Sequence, residues 1–252
     1  MTSLAFATPD PRLDTGGVVA PPSNLYSDEP EMETYAHLMQ MILLLESLEL
    51  FWKDRTDFFA AGNLTVYFSP RQLKSEHFRG PDFFVVLGTD RRPRKSWTVW
   101  AEDGRYPNVI VEILSDSTEA IDRGLKKQIY QDVFRTPDYF WFDPETHELA
   151  GFHLIDGRYQ PLSPDATGRL WSEQLGFFLA VHEGTLRFFT REGALLPAAR
   201  ELAQQVETAE QRVETAEQRV ETAEQRVETA ERRATSLAEK LRELGVDPDS
   251  VK

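Results

Sequence analysis

The chain has 252 residues, 40% hydrophobic and 28% charged, which suits one globular core with extensions. Its formal charge of −14 argues against a protein that coats nucleic acid non-specifically, while leaving room for a local basic patch or a site that recruits cations. Cysteine is absent, which excludes disulfides and thiolate chemistry and fits a reducing cytosol.

No apolar run approaches the roughly 20 residues of a membrane span, and no basic-then-apolar leader follows Met1, so the expectation is a cytoplasmic protein without a membrane partner. Residues 1–30 hold five of the fifteen prolines (Pro9, Pro11, Pro21, Pro22 and Pro30) in a polar setting and read as a flexible N-terminal arm. Over residues 31–52 the apolar side chains Met32, Tyr35, Met39, Ile42 and Leu45 recur at helical spacing, which predicts an amphipathic first helix. Strand-like runs follow: "LTVYFS" after the turn "AGN", "DFFVVLG" after "RGP", and "VIVEIL".

"STEAIDRGLKKQIYQDVF" returns to the helical period, with Ile121, Leu125, Ile129 and Val133 four apart and Asp116 or Ser117 as N-cap. "DYFWFD" predicts a further buried strand. Hairpins are expected at Asp156-Gly157 and Glu183-Gly184. The order helix, strands, helix, strand implies an α/β fold, a mixed sheet flanked by helices, over residues 31–190.

Beyond Pro197 the composition changes. "VETAEQR" repeats with a period of seven from Val206, placing Val206, Val213, Val220 and Val227 at one core position and Ala209, Ala216, Ala223 and Ala230 at the other. Residues 191–245 therefore read as a coiled coil, expected to join two copies in parallel, with 246–252 as a short tail.

One residue does not fit its strand. Glu112 places a carboxylate within the apolar run Val109 to Leu114, and burying an unpaired carboxylate is strongly unfavourable. Asp82 opens the preceding long strand, and Lys126 and Lys127 lie on the helix that follows. Two carboxylates on adjacent strands can hold Mg²⁺, with Mn²⁺ as its substitute, and a nearby ammonium can orient an attacking water or neutralise charge growing on phosphorus. About 100° of turn per residue places Lys126 beside the arc of Leu125 and Ile129, and sends Lys127 to solvent. Each residue also has a plain structural reading: Asp82 as a turn residue, Glu112 as the partner of an arginine or a residue at a sheet edge, Lys126 as a surface partner of Asp122.

The stretches "GPDFFVV", "VIVEILSDST", "DRGLKKQIY" and "PDYFWFDP" resemble the Uma-type restriction endonuclease family, a domain of unknown function in the PD-(D/E)XK nuclease superfamily. The resemblance spans about residues 31–190. It implies a restriction-endonuclease-like core, Mg²⁺-dependent endonuclease hydrolysis of DNA phosphodiesters, and Asp82, Glu112 and Lys126 as catalytic residues, the first two holding metal. Leu114 stands where the lysine of the simplest motif would fall, and the resemblance implies that Lys126 on the next helix takes its place. Glu46, on the first helix, is an auxiliary candidate for the metal shell. "RRPRK", from Arg91 to Lys95, could grip phosphates beside Trp97 and Trp100. The rival reading is a catalytically degenerate nuclease-fold scaffold that works as a coiled-coil interaction protein.

Overall fold

The computed structural model describes residues 34–68, 78–115 and 122–245; the N-terminal arm, the C-terminal tail and the expected N-cap at Asp116 or Ser117 lie outside them. The chain divides into two compact units, Met1–Ala198 and Ala199–Lys252.

The first unit opens on helix α1 (Tyr35–Phe51), whose N-cap Thr34 accepts the His37 N–H at 3.1 Å. Strands β1 (Phe58–Gly62), β2 (Val66–Tyr67), β3 (Phe78–Arg79), β4 (Phe83–Leu87), β5 (Trp97–Thr98) and β6 (Val109–Ile113) follow. A helical segment, α2, then runs through two π-type turns, Asp122–Lys126 and Tyr130–Phe134, separated by the α turn Lys127–Ile129. The last strands are β7 (Asp138–Phe142), β8 (Leu149–Ile155), β9 (Arg158–Pro161), β10 (Leu170–Ser172), β11 (Phe177–His182) and β12 (Thr185–Phe189).

The main sheet has the order β1-β4-β6-β7-β8-β9 and is mixed: β6 and β7 are parallel, and every other neighbouring pair is antiparallel. A parallel pair needs a crossover, and α2 supplies it. Two small sheets, β10-β11-β12 and β3-β2-β5, complete the unit. The run "LTVYFS" supplies only β2; the strand beside β4 is "FFAAG", whose two alanines and glycine hide it from a search for branched residues.

β6 and β7 are buried on both faces. One face carries Phe83, Val85, Val109, Val111, Phe140 and Phe142, packed with Leu44 and Leu48 of α1 and with Leu179 and Phe188. The other carries Phe84, Val86, Ile110, Tyr139 and Trp141, packed with Tyr130 and Phe134 of α2. Alternation along β6 sends Glu112 to this second face, toward α2.

Both expected hairpin turns have two residues at positive φ: Asp156 (49°) with Gly157 (78°), and Glu183 (50°) with Gly184 (76°). That backbone matches the strand twist and explains a glycine at each second position. Gly151 serves a different purpose. It lies opposite Phe140 in the β7–β8 ladder, and a Cβ there would sit 2.6 Å from the Phe140 ring. Gly151→Ala is expected to destabilise the unit by about 1–3 kcal/mol through overpacking. A lower urea midpoint with an unchanged m-value checks this; an unchanged midpoint would show that the ring moves aside at no cost.

The second unit is dominated by one helix, α3 (Ala199–Glu243), of 45 residues. Val206, Val213, Val220 and Val227 are each 57–58% exposed along it. Among the described residues no helix is long and apolar enough to cross a membrane.

Candidate active site

Glu112 is fully buried, so its charge needs partners inside the protein. Tyr130 Oη donates to Oε1 at 2.6 Å, and Lys126 Nζ to Oε2 at 3.1 Å. The Asp82 amide adds a long contact to Oε2 at 3.4 Å. Lys126 and Tyr130 are one turn apart on α2, and the π-type winding lies at both of them. Such turns are rare and are often found at functional sites.

Asp82 stands beside Glu112 because the register pairs Phe83 with Val111, which sets the residues just before and just after that pair across from each other. Its Oδ2 accepts the Ile113 N–H at 2.7 Å. Its Oδ1 lies 3.0 Å from Nε2 of His37, a side chain that reaches in from the first turn of α1. Burial pushes the Asp82 carboxyl up, but the His37 hydrogen bond and charge, the Lys126 charge and the Ile113 N–H outweigh it and hold the pKa below the ordinary carboxylate value. Four elements, α1, β4, β6 and α2, thus meet at one polar island in an aromatic interior.

The structure brings Asp82, Glu112 and Lys126 together, and Glu46 does not join them. Glu46 is nine residues beyond His37, about 13.5 Å along α1 and half a turn round it. Among the described residues it makes no ion pair or hydrogen bond to Asp82 or Glu112, and its Oε2 is buried without a partner. The first-helix residue at the site is His37, which sequence reasoning missed. The only signal for it was its position three residues after the capping threonine.

Two further expectations need correction. Leu125 and Val133 of the proposed buried stripe are 55% and 46% exposed, whereas Tyr130 and Phe134 are buried. The larger aromatic side chains take the core face, in tilted ring contacts with Tyr139 and Tyr106, because they remove more apolar surface from water. Lys127 is not simply solvated either: its ammonium lies 3.3 Å from the centroid of Phe152, and burial pushes its pKa down.

The arginines of the "RRPRK" loop are engaged by carboxylates, and Arg94 turns inward. Arg91 pairs with Glu49, Arg92 with Asp90 and Glu102, and Arg94 with Asp90 and Glu102. The Arg94 side chain is 2% exposed and its guanidinium lies over Phe59 and the buried Trp97. These arginines staple the loop, and their charge is already matched by neighbouring carboxylates. Another buried carboxylate, Asp138, binds His153 at 2.6 Å, Ser172 Oγ at 2.5 Å and the Gln174 N–H at 3.0 Å, joining β7 to β8 and β10.

Two carboxylates on adjacent strands are the oxygen donors that a hard divalent cation takes. Asp82 has four lone-pair positions, of which His37 and Ile113 occupy two, so it retains acceptor capacity for a cation. Among the described residues no three His, Cys, Asp or Glu side chains form a metal shell by themselves. A cation held by Asp82 and Glu112 would therefore draw its remaining ligands from water, backbone or substrate oxygen.

Residues 29–182 match the family model described as "Uma2: Putative restriction endonuclease". The chain belongs to the Uma2 family. The matched segment contains α1, Asp82, Glu112, Lys126 and Tyr130 and stops short of α3. A relative, "Uncharacterized protein slr1290" of Synechocystis sp. (strain ATCC 27184 / PCC 6803 / Kazusa), is 33% identical over 110 residues. That alignment covers 43% of this chain and 55% of the relative, so the chain spans about half the length of the curated relative it matches. Among solved structures, one described as a "putative nuclease belonging to DUF820 from Anabaena variabilis ATCC 29413" aligns with a TM-score of 0.41 at 13% identity, covering 58% of this chain and 76% of that one.

Proposed function

We propose that this Uma2-family protein is a Mg²⁺-dependent endonuclease, accepting Mn²⁺, that hydrolyses DNA phosphodiester bonds as a cytoplasmic homodimer. The observation that carries the reading is the convergence of Asp82, Glu112 and Lys126, with Lys126 Nζ 3.1 Å from Glu112. Asp82 and Glu112 would hold the cation, which when bound supplies Lewis acidity and a more acidic water. Lys126 stands where its ammonium can orient that water and offset charge developing on phosphorus. Tyr130 and His37 do not touch substrate in this reading; each helps hold one carboxylate in place, Tyr130 through Glu112 Oε1 and His37 through Asp82 Oδ1. The aromatic packing of Tyr130, Tyr139 and Trp141 excludes bulk water on the α2 side of Glu112.

A cleavage assay on supercoiled plasmid and on single-stranded DNA, with Mg²⁺, Mn²⁺ or EDTA, tests the proposal. Cleavage should need a divalent cation and fall by about 10²-fold or more in Asp82→Asn, Glu112→Gln and Lys126→Ala. One observation favours the rival scaffold reading: the oxygens of both carboxylates are already engaged by protein donors. Absence of cleavage of either DNA with either metal would select the scaffold.

A further inference from the structure

The C-terminal helix carries a surface that the nuclease chemistry itself does not use. Its heptad places Ala199, Val206, Val213, Val220, Val227, Ala234 and Leu241 in one row. The companion row holds Leu202, Ala209, Ala216, Ala223, Ala230, Leu237 and Leu244. The four valines are more than half exposed, and so are Leu237 (62%) and Leu244 (77%). Arg212, Arg219 and Arg226 flank this stripe on one side, and Glu210, Glu217, Glu224 and Glu231 on the other. None of these arginines has an acidic residue three or four positions away on its own helix, the spacing that lets Arg232 pair with Glu228.

Charge complementarity names the occupant as a second copy of the same helix. In a parallel pair each of these arginines meets a glutamate five residues further along the other chain. In an antiparallel pair arginine would face arginine and glutamate would face glutamate. The repeats cannot, however, choose a register. Sliding one chain by seven residues sets valine on valine and alanine on alanine again within the repeat, with only its outermost residues (Val206, Val227, Ala209 and Ala230) meeting a changed partner, and the number of Arg–Glu pairs does not change. Only the ends differ. In register, Leu202, Leu237, Leu241 and Leu244 each face their own counterpart. After a one-heptad slip only one leucine–leucine layer is left, Leu237 of one chain against Leu244 of the other, and the remaining leucines meet alanine or overhang the end.

We propose that the helix pairs in parallel with a second copy, that its leucine-bearing ends alone fix the register, and that the "VETAEQR" heptads act as an interchangeable spacer. The inference does not depend on nuclease activity, so either can fail without the other.

The chain has no cysteine, so single introduced thiols report register cleanly. Full-length Ala216→Cys should form a disulfide dimer in a glutathione buffer. Differently tagged Ala216→Cys and Ala223→Cys chains, mixed, should give a mixed disulfide at less than about a tenth of the in-register yield. Replacing all four end leucines, Leu202→Ala, Leu237→Ala, Leu241→Ala and Leu244→Ala, removes every leucine–leucine layer from both registers and should raise the mixed product toward the in-register yield. A second test avoids weakening the coil. A chain lacking residues 213–219 should pair with itself in preference to the full chain, because only like lengths align Leu202 as well as the three C-terminal leucines. A full-length monomer in sedimentation equilibrium at tens of micromolar, a mixed disulfide at full yield in the native background, or free pairing between chains of unequal length would each overturn the proposal.

Discussion

Lys126→Ala is expected to destabilise the first unit by about 3–5 kcal/mol, the usual result of removing one partner from a buried ion pair. The partner left behind is Glu112, which is fully buried. Tyr130 would still donate to Oε1, but a phenol does not neutralise a charge. The carboxyl of the variant should therefore take up a proton and titrate well above its unfolded value of about 4.3. The sign follows from proton linkage. Between the unfolded and the raised folded pKa the native state binds more protons than the unfolded state, so stability falls as pH rises, by up to about 1.4 kcal/mol per pH unit. Urea unfolding at pH 5 and pH 8 should thus show a loss that is larger at pH 8 in the variant. Lys126→Met, which keeps most of the aliphatic stem, should behave in the same way because the missing element is charge. A loss below about 1 kcal/mol that is equal at both pH values would mean that Glu112 does not depend on Lys126.

The parts of this fold that were legible in the sequence are those where one local signal dominates. The strands β4, β6 and β7 announce themselves because burial on both faces leaves almost nothing but large apolar residues. The two hairpin turns are legible because only a short list of dipeptides accepts two positive φ values in succession. The strand β1 was not, since "FFAAG" has neither branched side chains nor alternation, and its place is set by the ladder to β4. The buried face of α2 shows a sharper limit. Its aliphatic residues follow a helical period, yet the π-type turns shift the winding and Tyr130 and Phe134 turn inward instead. Lys126 reaches Glu112 because it lies one turn before Tyr130 on that inward face. The choice of lysine made from the aliphatic stripe therefore reached this residue by the wrong geometry. The capping position marks His37 as a first-turn residue but not as a partner of Asp82, which lies 45 residues away in the sequence and is joined to it only by tertiary packing.

Adding Mg²⁺ or Mn²⁺ is expected to raise the melting temperature of the full chain, and Asp82→Asn or Glu112→Gln should abolish the rise. A ligand that binds the native state alone stabilises it by about 2.7 kcal/mol at a hundredfold excess over Kd, which for a unit of this size is about 5–10 °C. In the absence of metal, positive charge near the two carboxylates comes from Lys126 and, when it is protonated, from His37. A cation would therefore compete with both. Lys126→Ala then makes a prediction opposite to that of the carboxylate variants: with Oε2 of Glu112 released from its ammonium, calorimetry at pH 8, where a proton competes least for the carboxylate, should show metal binding more tightly than in the native protein, even as cleavage is lost. Relief of repulsion gives a second signature, since Asp82→Asn removes one of two neighbouring carboxylates and should lower metal affinity more than it lowers metal-free stability. Weaker metal binding in Lys126→Ala would show that the ammonium supports the cation site instead of occupying it. No heat of binding and no shift in melting with either metal would remove the cation site altogether, and Glu112 would then be explained by its protein donors, Lys126 and Tyr130 among them.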